Sequence, residues 1–353
     1  MSTQDVAAPV IDLRSDLCTV PTDEMWAAMR SARLGWATAG DDPSVNRLQE
    51  VAAALLGKEA ALWVPTCGMA NLVAMMTHSA RGSRVVLEAS SHVLTSEAMG
   101  IGEVAGLEPC SLWAPDGRLD PAQVEELIRE QRASLLVLEN THTRAGGTVL
   151  SVELTAALAA AAHRYRARVH LDGARLANAA VALGVPLHEL AAPADSVAFS
   201  LNKGLSAPMG TILAGSAELV VVARGYLHRL GGATVHRAGI PAAAGLVALD
   251  SMVERLADDH RRARELAQLL SQIPGLQLRP EGVETNIVLV DVSGTGLVPD
   301  ELLAQLAARG VLVTERDMSR VRFVTHRLIG DAEVARAAEI VAAVVADALR
   351  SDV

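Results

Sequence analysis

Arg168-Val169-His170-Leu171-Asp172-Gly173-Ala174-Arg175 and Ala198-Phe199-Ser200-Leu201-Asn202-Lys203-Gly204-Leu205-Ser206-Ala207-Pro208 decide how this chain is read. Each begins as a short apolar run and ends in small and polar residues. The first run delivers an aspartate and an arginine at its end, the second a lone lysine followed by glycine. Lysine is scarce here, with Lys58 and Lys203 the only two.

Working outward, apolar runs suited to buried strands recur at 60–64, 84–87, 135–138, 168–171, 196–201 and 209–213. Helical periodicity fills the gaps at 45–56, 69–79, 121–131, 152–164 and 175–183. Strands alternating with helices predict an α/β fold with a mainly parallel sheet covered on both faces. In such sheets ligands bind beyond the carboxyl ends of the strands. Asp172 and Lys203 both fall there. After about Gly239 one long helix is expected to run towards Leu270. A smaller α/β unit follows, with strands at 276–278, 286–292, 311–314 and 321–325 and helices at 299–309 and 332–349. The expected division is an N-terminal arm over 1–43, a large domain over 44–245 and a small C-terminal domain over 246–353.

An aspartate and a lysine, each just past a strand, suggest a pyridoxal phosphate (PLP) site. The lysine would form the Schiff base, and the aspartate would keep the pyridine nitrogen protonated by charge pairing. An aspartate at this place also suits a helix N-cap, and a lysine before glycine also suits a surface loop. Small Ala174 leaves room for a flat ring. Thr66-Cys67-Gly68 follows a strand and opens a helix, where backbone N–H groups can hold a phosphate. A plain strand-to-helix turn needs the same residues. His92 and His142 both follow strands, and imidazole titrates near neutrality, which suits it to moving a proton. Arg175 and Arg322 are candidates for bidentate binding of a carboxylate.

The composition supports an enzyme of this kind and excludes other classes. The chain has 353 residues, 50% hydrophobic and 20% charged, enough for a large core. Aromatics are only 2%, so that core must be built from alanine, valine and leucine. A net charge of −10 with no basic patch argues against nucleic acid as a partner. The N-terminus lacks the pattern of a signal peptide, and the apolar run at 156–162 is too short to span a bilayer. Cys18, Cys67 and Cys110 fit neither a disulfide framework nor a metal site, and none is expected. A cytoplasmic setting and small-molecule partners follow as expectations.

These residues resemble a known family, the low-specificity L-threonine aldolases within the PLP-dependent β-eliminating lyase group of fold type I. The resemblance runs nearly end to end, through Ile11-Asp12-Leu13-Arg14-Ser15-Asp16, Asp42-Pro43-Ser44, Glu139-Asn140-Thr141-His142, Leu171-Asp172-Gly173-Ala174-Arg175, Lys203-Gly204-Leu205, Glu284-Thr285-Asn286 and Arg322 with Val324-Thr325-His326. It implies a seven-stranded sheet and a homodimer or homotetramer with shared active sites. Lys203 would carry the cofactor, Asp172 would pair with its ring nitrogen and His92 would stack on the ring. Ser15, Arg175 and Arg322 would bind the substrate carboxylate, and His142 with His92 would lie near the substrate β-hydroxyl. The implied reaction cleaves, or forms, a β-hydroxy-α-amino acid from glycine and an aldehyde. Other PLP reactions on the same scaffold, such as β-elimination, racemisation or aldol transfer, remain open alternatives.

The chain departs from the family pattern on the substrate side. Ala39-Gly40-Asp41-Asp42-Pro43 replaces a stretch that begins with tyrosine. Val93-Leu94-Thr95-Ser96-Glu97 lacks the tyrosines usual after the stacking histidine. Thr66-Cys67-Gly68-Met69 replaces Ser-Gly-Thr-Met, and Thr143 replaces an asparagine. The arginine usual after the glycine-rich turn falls on either His236 or Arg237. A larger and drier pocket is expected.

Overall fold

The computed structural model describes residues 10–97 and 99–351. Their strands are β1 (Ile11–Asp12), β2 (Ala60–Val64), β3 (Arg84–Glu88), β4 (Glu108–Leu112), β5 (Leu135–Glu139), β6 (Arg168–Gly173), β7 (Ser196–Ser200), β8 (Thr211–Gly215), β9 (Ile287–Asp291), β10 (Val311–Leu312), β11 (Thr314–Glu315) and β12 (Arg320–Val324). The chain forms two compact units. One is Val20–Leu256, and the other joins the segment ending at Thr19 to the chain from Ala257 onward.

The first unit holds a seven-stranded sheet in the order β2-β8-β7-β6-β5-β3-β4. Every pairing is parallel except the two made by β8. This is the mainly parallel α/β sheet expected from the alternation of runs. Side chains on a strand alternate between faces, and the core follows that rule. Val86, Leu136, Leu138, Val169, Leu171, Val197, Phe199 and Ile212 build one apolar layer. Their neighbours Val85, Leu87, Leu135 and Val137 build a second, and Ala198 and Leu213 join Leu62 and Val64 in a third. Burying each large side chain is worth roughly 1.5–3 kcal/mol, so both faces must be covered by helices. Among the described residues no helix is long and apolar enough to cross a membrane.

The second unit pairs β1 with β10 in parallel and forms an antiparallel sheet β11-β12-β9. Val321 and Phe323 of β12 enter its core with Val288, Val290 and Leu266. Arg320 and Arg322 take the alternate positions and are half-buried. The pairing of β1 ties residues 11–12 to this unit. The helix Asp23–Arg30 instead packs on Gly239–Ser251 in the first unit.

Three local expectations differ from the structure. The helix expected from Gly239 to Leu270 is two, Gly239–Ser251 and Leu256–Leu270. The first is buried on most sides and the second is amphipathic, so a turn between them lets each face its own surroundings. The strand expected at 276–278 is a single bridge from Gln277 to Asp291. Strand β4 was absent from the sequence reading.

Asp42 shows how tightly the first unit is built. Its carboxylate is fully buried and caps the helix Pro43–Leu55, accepting from Ser44 N and Val45 N at 3.0 Å and from Gly35 N at 3.0 Å. A Cβ added at Gly239 would lie 2.6 Å from both its oxygens. Gly239→Ala is therefore expected to cost about 1–3 kcal/mol, measured as a lower urea midpoint. An unchanged midpoint would show that the contact yields freely.

Candidate active site

Asp172 sits at the carboxyl end of β6, and its side chain is buried. Its Oδ1 accepts from Ala174 N at 3.1 Å and from the Cys67 thiol at 3.7 Å, and its Oδ2 accepts from Asn71 Nδ2 at 3.0 Å. These three donors are all neutral. Desolvation of the Cys67 thiol, and then the Asp172 charge, push Cys67 up to about 12. The thiol therefore stays protonated and donates. The Lys203 ammonium pulls the other way on Cys67, and it also acts on His92. Lys203, Cys67, His92 and Asp172 thus belong to one electrostatic neighbourhood. Lys203 itself lies in a tight turn after β7, where Ser206 N donates to its carbonyl at 2.8 Å.

The mouth of this site is held by two glutamates that the sequence reading did not single out as functional. Glu97 accepts from Asn71 Nδ2 at 2.9 Å and pairs with His92 Nδ1 at 3.1 Å. Acceptor and donor atoms of His92, Glu97 and Asp172 all lie within 4.8 Å of one another. The hydrogen bond to Glu97 raises the His92 pKa above its ordinary 6.5, against the opposing effect of burial, and the Asp172 and Glu139 charges add to the rise. Glu139, at the end of β5, ties two loops together. Its Oε2 accepts from His92 N at 2.7 Å and its Oε1 from Thr143 N at 2.9 Å.

His142 is buried, and both ring nitrogens are engaged. Nδ1 accepts from Ala145 N at 3.2 Å and Nε2 faces Glu88 Oε2 at 3.0 Å. The acceptor role of Nδ1 makes Nε2 the protonated nitrogen, which donates to Glu88. Burial pushes Glu88 up, but the hydrogen bonds from His142, Ser90 and Ala114 outweigh it and its pKa falls. Arg175 is also buried, and its Nη1 donates to Thr143 Oγ1 at 3.0 Å.

Thr66 caps the helix Cys67–His78, accepting from Met69 N at 3.2 Å, with Cys67 and Gly68 in its first turn. The turn at Gly232 packs against this end of the helix. A Cβ at Gly232 would meet Met69 Sδ at 2.4 Å, so no larger residue fits without movement. His236 and Arg237, just beyond the turn, are exposed. Ser15 and Arg322 lie in the second unit and are brought together there. Arg322 Nη2 donates to Arg14 O at 3.2 Å, and Ser15 accepts from Leu17 N at 3.2 Å.

The residues suit PLP on one physical ground. A buried carboxylate bonded by neutral donors calls for a cationic partner, and a protonated pyridine ring is one. Asp172, Lys203 and the Thr66–Gly68 turn would hold it, with small Ala174 beside Asp172.

Comparison with known proteins places this fold. Residues 12–293 match the profile described as beta-eliminating lyase. Low-specificity L-threonine aldolase 1 of Arabidopsis thaliana is 40% identical over 334 residues, 92% of this chain and 93% of that one. Low specificity L-threonine aldolase of Escherichia coli (strain K12) is 36% identical over 335 residues, 93% of this chain and 97% of that one. The structure of Leishmania major threonine aldolase superposes with a TM-score of 0.80 at 18% identity, covering 95% of this chain and 99% of that chain, and shares its fold. The chain therefore belongs to the beta-eliminating lyase family, on the α/β scaffold of fold type I. Within that family its relatives are the low-specificity L-threonine aldolases.

The Glu97 contact has a measurable consequence. The pair stabilises the fold while His92 is protonated. That contribution is full below the ordinary value of 6.5 and is lost as pH rises through the raised pKa. Glu97→Gln is expected to move the His92 titration, followed by NMR, to lower pH. A titration that stays in place contradicts the pairing.

Proposed function

We propose that this protein is a PLP-dependent aldolase that cleaves, or forms, β-hydroxy-α-amino acids, with glycine and an aldehyde as the other side of the reaction. The observation that carries this reading is the buried Asp172 carboxylate beside Lys203 at the strand ends, in a chain whose relatives are threonine aldolases. PLP, when bound, supplies an electron sink for the pair released as the Cα–Cβ bond breaks.

The protein's own groups do the rest. Lys203 Nζ would anchor the cofactor aldehyde, and Asp172 would keep the ring nitrogen protonated. Backbone N–H groups of Thr66, Cys67 and Gly68 would receive the phosphate. Arg175 is assigned the substrate carboxylate, and Ser15 and Arg322 are assigned the same group on the family resemblance. His92 would hold the ring, on the family resemblance, and would move the proton at the β-hydroxyl oxygen. Its Nδ1 is turned to Glu97, which leaves Nε2 for that proton. His142 joins it as a proton carrier only by releasing Glu88 or Ala145 N. As they stand, those bonds make it a brace for the loop that presents Thr143 to Arg175.

The same reading includes a cytoplasmic enzyme and a homodimer or homotetramer with shared sites. Its support is the family resemblance and the three free cysteines. On the same resemblance, Ala39 and the stretch 93–97 would leave the aldehyde side without the family's tyrosines, which favours bulkier aldehydes than acetaldehyde.

Two experiments test it. The purified protein is expected to show a visible absorbance band with PLP, which Lys203→Ala abolishes while lowering cleavage by about a thousandfold or more. Incubation with a panel of β-hydroxy-α-amino acids is expected to release glycine and aldehyde. Cleavage of no member of the panel, or a band that survives Lys203→Ala, contradicts the proposal.

A further inference from the structure

Behind Asp172 lies a chain of polar groups that the reaction does not touch. Asn71 Nδ2 donates to Glu97 and to Asp172 Oδ2, at 2.9 and 3.0 Å. Its Oδ1 therefore faces the other way, towards His170 Nε2 at 3.0 Å. An amide oxygen only accepts, so His170 must donate from Nε2. His170 is fully buried, and burial above all, then the nearby His78 ring, drives its pKa down to about 3. The ring is neutral near pH 7, and its Nδ1 is an acceptor. Ser196 Oγ, 2.8 Å away, must then donate to Nδ1. The Ser196 oxygen is left to accept from His78 Nε2 at 2.7 Å. Desolvation lowers His78 to about 4, so it too is neutral.

Every proton in this relay points the same way. The order is His78 to Ser196, Ser196 to His170, His170 to Asn71 and Asn71 to Asp172. A core histidine satisfied by chance needs no such order. Here reversing any link leaves two donors or two acceptors face to face, which is costly for a buried group. The far end opens at a cleft of about 340 Å3 lined by His78, Arg168, Asp195 and Glu218. The relay thus runs along one face of the helix Cys67–His78, from its C-terminal end to the cofactor site.

We propose that His170 is a positioning residue for the cofactor site: through Asn71 it fixes the direction of the amide and so holds the Asp172 carboxylate in one orientation and one hydrogen-bonded state. The proposal rests on the reading of Asp172 as the partner of the PLP ring nitrogen. Asn71 is the pivot. Its Nδ2 is held by the two carboxylates and its Oδ1 by His170, and without His170 that buried oxygen loses its donor and one end of the amide is no longer fixed.

Two amide variants separate positioning from packing. In His170→Gln the side-chain nitrogen reaches about as far as Nε2 and still donates to Asn71. In His170→Asn the amide reaches Ser196 but not Asn71. PLP affinity, the absorbance band of the bound cofactor and the melting temperature of the apoprotein are measured for each. His170→Gln is expected to keep the wild-type band and an affinity within about threefold. His170→Asn is expected to shift the band and weaken PLP binding by about tenfold or more, the scale seen when an outer partner of a site is lost. If the two variants bind PLP alike, or if only the melting temperature moves, the positioning role is overturned. A wild-type chain that takes up no PLP overturns this proposal and the cofactor assignment together. A second measurement needs no variant: 15N shifts of His170 in the wild-type apoprotein are expected to show the Nε2–H tautomer. The Nδ1–H tautomer overturns the relay.

Discussion

A carboxylate buried among neutral donors is the constraint on which this site depends. Asp172 has an amide, a backbone N–H and a thiol for partners, and the low dielectric around it magnifies the need for a positive charge. The protein spends several elements meeting that constraint. Strand β6 carries the carboxylate to the sheet edge, the helix from Cys67 supplies Cys67 and Asn71, and the turn after β7 brings Lys203 near. On the proposed reading a protonated ring nitrogen would complete the set, and the same charge would make the ring an acceptor of electrons.

His92 is coupled to that charge. It is polarised by Glu97, which is also bonded to Asn71, so His92 and Asp172 are linked through one amide. Glu139 fixes the backbone at His92 and at Thr143 from a single carboxyl group. Glutamates 88, 97 and 139 therefore hold the loops and set the direction of the histidines. The relatives are threonine aldolases, and the roles proposed for Asp172 and Lys203 fit that chemistry.

The fold was readable where the signal was local. Strand β5 is an unbroken apolar run because both of its faces are buried, and its limits follow directly from the sequence. Strand β4 is the edge of the sheet, mostly exposed and containing Pro109, so its sequence carries no strand pattern. The break near Met252 has neither glycine nor proline to mark it. The site was readable in the same uneven way. Asp172 and Lys203 stand at the ends of strands, where the topology gives them meaning. Asn71 bonds His170 and Asp172, 99 and 101 residues distant, so no spacing in the sequence reveals the set. Glu97 was visible only as part of an unusual stretch, and its pairing with His92 needed coordinates.

The account stands or falls on the charge at Asp172. The most direct test is the rate of cleavage of a β-hydroxy-α-amino acid by Asp172→Asn at saturating PLP, with occupancy of Lys203 checked by absorbance. The account predicts that the cofactor remains attached while the rate falls by about 100-fold or more, the scale of losing one fixed electrostatic stabiliser. A rate close to wild type with the cofactor attached would contradict it.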